Sequence, residues 1–167
     1  MHKVALEAFD PERYSEMLRR WLAEPHVAKW WGDAARAMEH ARRCPPESQA
    51  LIVADGVPVG YLCWREPPKE ELAAAGLTDL PEGLVDIDIL IGEAEFLNQG
   101  VESGALEILL ARLGSERAVE FAGLGTSASN ANAIRCYAKA GFRLFRDFLD
   151  AEWGPCKYLI AGVRGVA

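Results

Sequence analysis

Val85-Asp86-Ile87-Asp88-Ile89-Leu90-Ile91 opens a stretch, running on to Leu113, that reads as a strand, a glycine-containing turn and a helix in immediate succession. Apolar and acidic residues alternate in its first half and then give way to apolar residues alone. That is the pattern of a strand whose first half keeps one face open to solvent or ligand. Gly92 to Gly100 makes the turn. From Val101 the apolar residues Val101, Ala105, Ile108, Leu109 and Leu113 recur at helical spacing, so a helix starts near Gly100. A strand, a turn and a helix N-terminus in this order direct unpaired backbone N–H groups and the positive end of the helix dipole into one place, as anion-binding sites do.

Upstream, Lys3 to Phe9 reads as a first strand, stopped by Asp10-Pro11, where Asp caps a helix and Pro takes its first position. That helix runs to about Ala23, with Tyr14, Met17, Leu18, Trp21 and Leu22 on one face. Glu24 to Gly32 contains Trp30-Trp31-Gly32, and two adjacent tryptophans cannot both face the core of a regular helix. At least one is expected at a surface or pocket. Asp33 to Arg43 reads as a second helix, halted by Cys44-Pro45-Pro46. Gln49 to Ala54 and Val57 to Trp64 flank Asp55-Gly56, a strong hairpin signal. Arg65 to Gly83 is polar and Pro-containing and reads as a long loop.

Downstream, Arg117 to Leu124 is a strand candidate, Asn130 to Ala140 a helix ended by Gly141, and Phe142 to Leu149 with Lys157 to Val163 a closing pair of strands. The order β-α-α-β-β-β-α-β-α-β-β argues for an α/β or α+β sheet covered on both faces. At 167 residues the chain suits one domain, residues 1–167.

A net charge of −7 opposes binding to nucleic acid or to an anionic membrane and favours a cationic partner. The sequence has no run of 18 apolar residues and no signal-like leader, which points to the cytoplasm. Cys44, Cys63, Cys136 and Cys156 are scattered without C-x-x-C pairs and are expected as thiols rather than disulfides. His2, His26 and His40 share no metal-ligand spacing with one another or with the cysteines, so no metal is expected.

Ser129-Asn130-Ala131-Asn132-Ala133-Ile134-Arg135-Cys136-Tyr137-Ala138-Lys139-Ala140-Gly141-Phe142 resembles the S-N-x-x-A-I-x-x-Y-x-K-x-G-F segment of the GCN5-related N-acetyltransferase (GNAT) superfamily. The likeness covers nearly the whole chain. Trp21 to Gly32, Ile87-Asp88 and Asn130 to Phe142 are most similar to the aminoglycoside 6'-N-acetyltransferases of that superfamily. The resemblance implies a single-domain, mostly antiparallel central sheet with helices on both faces. It also implies acetyl-CoA as co-substrate, no metal, a monomer or homodimer, and a small cationic amine as acceptor.

Carried over residue by residue, a bulge at Leu90, Ile91 and Gly92 would offer backbone N–H to the thioester carbonyl, where negative charge develops. Leu97, Asn98, Gln99, Gly100, Val101, Glu102 and Ser103 correspond to the pyrophosphate loop. Tyr137 takes the position of the acid that protonates the departing thiolate, and Asn130 and Ala133 lie on the cofactor side with it. Asn130 would contact the pantetheine arm or order its loop. Asp88 matches the carboxylate that meets the acceptor amine. Asp86 points the same way by strand alternation, and Trp30 and Trp31 line the acceptor side.

The chain departs from the family pattern in two places. The loop pattern Gln/Arg-x-x-Gly-x-Gly/Ala fails at Leu97 and at Glu102, which sets an anion near two phosphates. The acid expected before the Ser-Asn segment is replaced by Gly125, and an Asp-Gly-Trp-Trp insertion is missing from Thr78 to Gly83. Glu66, Asp79, Glu82, Asp150 and Glu152 are candidate substitutes for the lost negative charge. Other amines, such as a siderophore precursor or a polyamine, and a binding module without turnover are the alternative functions.

Overall fold

The computed structural model describes residues 1–164. Its seven strands form one mixed sheet in the order β1-β2-β3-β4-β5-β7-β6. The chain packs as two compact units, the first comprising residues 1–65 and 88–105 and the second residues 66–87 and 106 onward. The division falls inside β4 (Leu84–Ile91) and inside α5 (Val101–Leu113). No helix among the described residues is long and apolar enough to cross a membrane.

In the first unit, β1 (Val4–Ala8) leads to α1 (Pro11–Ala23), where the Asp10 carboxylate accepts the Glu12 N–H at 3.0 Å and Pro11 fills the first turn. Leu18, Trp21 and Leu22 are fully buried, while Tyr14 and Met17 lean on the same core. The sequence also left room for a helix it did not declare. Pro25–Trp31 forms α2, opened by Pro25 and closed by Gly32 in the left-handed half of backbone space (φ 76). Its seven residues bury only Val27 completely, so the apolar periodicity that betrays longer helices is missing. Asp33 caps α3 (Ala34–Arg43) through the Arg36 N–H at 3.1 Å.

β2 (Gln49–Ala54) and β3 (Val57–Arg65) form the expected antiparallel hairpin. Asp55 (φ 51) and Gly56 (φ 81) both adopt positive φ, as a two-residue turn matched to strand twist requires. All six residues of β2 are buried, and β1 pairs along its other edge. A side chain on Gly60 would strike the Leu90 carbonyl, so β3 and the end of β4 approach closely at that point.

The second unit holds α4 (Lys69–Ala75), the start of β4, the end of α5, β5 (Phe121–Ser127), α6 (Ala131–Lys139), β6 (Arg143–Asp150) and β7 (Gly154–Gly162). Here α4 replaces part of the long loop expected between Arg65 and Gly83. Lys69-Glu-Glu-Leu-Ala-Ala-Ala75 consists of strong helix formers, and Gly76 (φ 70) ends it. The Gly76 N–H reaches Ala73 O at 3.1 Å and the Leu77 N–H reaches Leu72 O at 2.8 Å, the paired bonds of a Schellman end.

β5 starts at Phe121, four residues later than Arg117. Residues 114–120 are held instead by turn bonds, among them Val119 N–H to Glu116 O at 3.2 Å, and the Glu120 N–H is taken by Gly83 O at 2.8 Å. β4 and β5 run parallel, pairing from Leu84↔Phe121 to Asp86↔Gly123. β7 lies between β5 and β6, antiparallel to both.

Candidate active site

Asp88 stands in the first unit on β4, its side chain 36% exposed, and its Oδ2 accepts a hydrogen bond from His40 Nε2 at 2.8 Å. His40 is in the last turn of α3, where a cation is favoured by the helix dipole. The bond to Asp88 is the main reason the imidazole is held above its ordinary pKa, against opposing desolvation. One carboxylate oxygen is thereby committed to the ring. Asp88 is legible in the sequence and His40 is not, because 48 residues separate the two and no local spacing signals the contact.

In the second unit Asp86 accepts the Tyr158 phenol proton at 2.7 Å. Tyr158 reaches it by lying across Gly123, the residue opposite Asp86 in the β4–β5 register; any side chain on Gly123 would collide with the phenol. Tyr158 and Phe148 also flank Gly125. The position where an acid was looked for is therefore bordered by aromatic rings. Of the substitutes considered, Asp79 is paired with Arg146 at 2.5 Å, and Asp150 Oδ1 accepts the Glu152 and Trp153 N–H groups at 2.8 and 2.9 Å. Both carboxylates have structural partners.

The end of β4 is irregular, since the Gly92 and Glu93 N–H groups both point at the Val59 carbonyl, at 2.8 and 3.3 Å. The Gly92 N–H, expected with the backbone of Leu90 and Ile91 to face an incoming carbonyl, is engaged here by the Val59 carbonyl. The Ile91 carbonyl accepts from His26 Nε2 at 2.9 Å. Gly92 lies against the Trp21 indole so closely that any Cβ there would enter the ring. Trp21 Nε1 in turn donates to Glu93 Oε1 at 2.9 Å, and this bond, with the Arg20 guanidinium at 2.8 Å, holds the Glu93 carboxyl below its usual range.

After β4, a 3₁₀ turn at Ala94–Phe96 leads through Leu97 and the exposed Asn98, Gln99 and Gly100 into α5. Asn98 (φ 59) and Gly100 (φ 79) have left-handed backbone, which turns successive peptide groups toward the α5 N-terminus. Val101 and Ser103 are buried, and Ser103 Oγ donates to Gly100 O at 3.2 Å, so they anchor the loop from beneath. Glu102 is half-buried in the first turn. Gln99 is fixed from outside, its Oε1 2.6 Å from His2 Nε2, while His2 Nδ1 lies 2.6 Å from Asp55 Oδ2 and the ring packs in a tilted contact on Phe96, with centroids 5.0 Å apart.

On α6, Asn130 Oδ1 accepts the Ala133 N–H at 3.3 Å, so this side chain orders the helix start. Ala133 is buried, and Tyr137 is 6% exposed with its ring 6.4 Å from Phe142. Trp31 packs on the core of the first unit, whereas Trp30 is partly exposed and carries the Lys29 ammonium 4.8 Å from its ring centre. Both rings are partly buried.

A further grouping escaped the linear reading. His40 and Cys44 stand one helical turn apart and Cys63 arrives from β3, so that a ring nitrogen and two sulfurs lie within 4.8 Å of one another. The four cysteines are thiols, as expected.

Residues 10–149 match the family model described as an acetyltransferase (GNAT) domain. The aminoglycoside N(6')-acetyltransferase type 1 of Klebsiella pneumoniae is 27% identical over 165 residues, covering 86% of this chain and 76% of that protein. Among solved structures, AAC(6')-Ib with paromomycin and acetyl-CoA aligns at TM-score 0.74 and 26% identity, over 96% of this chain and 93% of that one. AAC(6')-Ib with coenzyme A and kanamycin aligns at the same TM-score and identity, over 96% and 95%.

Proposed function

This chain belongs to the GNAT acetyltransferase family, and we propose that it moves an acetyl group from acetyl-CoA to a primary amine of a small polycationic acceptor, an aminoglycoside first among them. The observation that carries the acceptor side is the half-exposed Asp88 carboxylate, oriented by His40 through one oxygen. In this reading the other oxygen meets the acceptor ammonium and takes its proton, directly or through water, and Asp86 and Trp30 add negative potential and a ring face for the polycation. Trp31 completes that side from the core.

Acetyl-CoA supplies the thioester, whose C–S bond breaks as the amine nitrogen forms the C–N bond. The fit to this chain is mixed. Exposed Asn98, Gln99 and Gly100 before α5 suit a diphosphate, whereas Glu102 in the first turn opposes it. Leu97 and Val101 bracket that loop, Ser103 fixes its base, and Leu90 and Ile91 supply the backbone beside the arm. Tyr137 gives its phenolic proton to the departing thiolate, with Asn130 and Ala133 setting the start of its helix.

A second acceptor class is favoured by one observation. Asp79 and Asp150 are engaged in the fold and Gly125 bears no charge, so the acceptor side offers fewer carboxylates to a large polycation. A smaller polyamine or a siderophore precursor fits that reduced charge.

Calorimetric titration with acetyl-CoA and CoA tests the donor side, with micromolar binding expected; no detectable binding would overturn the transferase reading. Thiol release in the presence of kanamycin, tobramycin and spermidine then separates the acceptor classes.

A further inference from the structure

Outside the acetyl-transfer chemistry, the fold assembles a set of soft donors from two distant parts of the first unit. His40 and Cys44 occupy the last turn and C-cap of α3, and Cys63 sits on β3 opposite Gln49. The three donor atoms lie within 4.8 Å of one another. Cys44 and Cys63 are 3% and 1% exposed, whereas the His40 side chain is 31% exposed, so the group has a closed sulfur floor and an open nitrogen side.

The surroundings hold this geometry in place. Gln49 Nε2 donates to the Cys44 carbonyl at 2.9 Å, and the buried Tyr61 phenol donates to Gln49 Oε1 at 2.7 Å, which fixes the backbone that carries the thiol. Asp88 bonds His40 Nε2, a carboxylate behind an imidazole, the outer-shell arrangement that orients histidine toward a metal. Two sulfurs and one imidazole suit d¹⁰ cations, and ligand distances of ~2.3 Å for Zn–S and ~2.0–2.1 Å for Zn–N need only small inward shifts from the present spacing.

We propose that His40, Cys44 and Cys63 form a binding site for a thiophilic divalent cation of the zinc class, with water completing a tetrahedral shell. The ion displaces the two thiol protons, together with any proton on the ligating imidazole nitrogen, to solvent, leaving a neutral Zn(Cys)₂ core. It is not a cofactor of acetyl transfer; it fixes the imidazole to which Asp88 is bonded.

The test uses the full-length, reduced, chelator-treated protein titrated with Co²⁺ as an optical probe. The expected result is one equivalent bound, with tetrahedral d–d bands and a sulfur-to-cobalt charge-transfer band, both removed by one equivalent of Zn²⁺. Cys44→Ser and Cys63→Ser should each cut the charge-transfer intensity by about half, whereas Cys136→Ser and Cys156→Ser should leave it unchanged. His40→Gln should weaken binding at least tenfold. Full bands in the Cys44→Ser, Cys63→Ser double variant would overturn the proposal. Should those variants fail to fold, X-ray absorption on the wild-type protein with one equivalent of Zn²⁺ decides instead. Two sulfurs at ~2.3 Å support the site, and a shell of oxygen and nitrogen alone refutes it.

Discussion

His40 Nε2 and Asp88 Oδ2 lie 2.8 Å apart, tying the last turn of α3 to the middle of β4. This bond gives the carboxylate a fixed direction without burying it, since both side chains keep about a third of their surface in solvent. Asp88→Asn keeps the shape and removes the charge. It should lower kcat/KM for an amine acceptor by about 100-fold or more, in the range of lost general-base catalysis, while leaving acetyl-CoA affinity unchanged. Thiol release with kanamycin as acceptor, alongside acetyl-CoA titration, measures both. Equal activity in the two proteins would remove Asp88 from the mechanism.

Tyr137 offers a clean separation of chemistry from packing. Its ring is buried beside Phe142, so Tyr137→Phe retains the apolar contact and loses only the hydroxyl. Thermal stability should hold within a few degrees, and kcat should fall by about 100-fold with little change in KM for acetyl-CoA. A variant with unchanged kcat would show the phenol to be a core residue.

Glu102 sits in the first turn of α5, where the pattern of the superfamily wants Gly or Ala. Glu102→Ala should tighten CoA binding by about tenfold, ~1.4 kcal/mol, well within the repulsion that like charges near ~4 Å exert at intermediate dielectric. Alanine also avoids the loss of helix stability that glycine would bring. Calorimetry on the two proteins decides, and an unchanged Kd would show that the Glu102 carboxylate points away from the phosphates.

Gly92 has no room for a methyl group. A Cβ would enter the indole of Trp21, which is fully buried. Gly92→Ala should therefore cost about 1–3 kcal/mol or more, as overpacked cores do, visible as a lower urea midpoint at unchanged slope. A wild-type midpoint would mean that the indole moves without penalty.

His2 lies between two acceptors, the Asp55 carboxylate and the Gln99 side-chain oxygen, and donating to both requires the doubly protonated ring. The Asp55 bond is the principal reason its pKa stands above the ordinary imidazole value of ~6.5. A raised folded-state pKa means that the contribution is fully present below ~6.5 and is lost as pH rises through the folded value. Amide exchange at Gln99 and Gly100, corrected for its intrinsic pH dependence, should then quicken as pH rises through the raised folded-state pKa of His2. His2→Ala should abolish that extra rise. An identical pH profile in both proteins would show that the ring does not hold the loop.

Much of the fold was legible locally. Asp10-Pro11 and Asp33 mark helix starts because a side-chain oxygen and a missing N–H act on their immediate neighbours. Asp55-Gly56 marks the hairpin because an Asp-Gly pair adopts positive φ at both positions at little local cost. The two helices that were missed, Pro25–Trp31 and Lys69–Ala75, are seven residues long, too short to display an apolar stripe, and are revealed by their Pro and Gly boundaries.

The Ser129 to Phe142 segment indicated the family from the sequence by itself, through its resemblance to the superfamily's motif, and the strand, turn and helix of Val85 to Leu113 were legible because such signals are read within a few residues. What only the tertiary structure decided are the partners: His40 for Asp88, Tyr158 for Asp86, His2 for Gln99, and Cys63 for the Cys44–His40 turn. Those pairs are 48, 72, 97 and about 20 residues apart. A hydrogen bond acts over ~3 Å whatever the length of chain between its ends, so its partner can be known only once the strands have been set side by side.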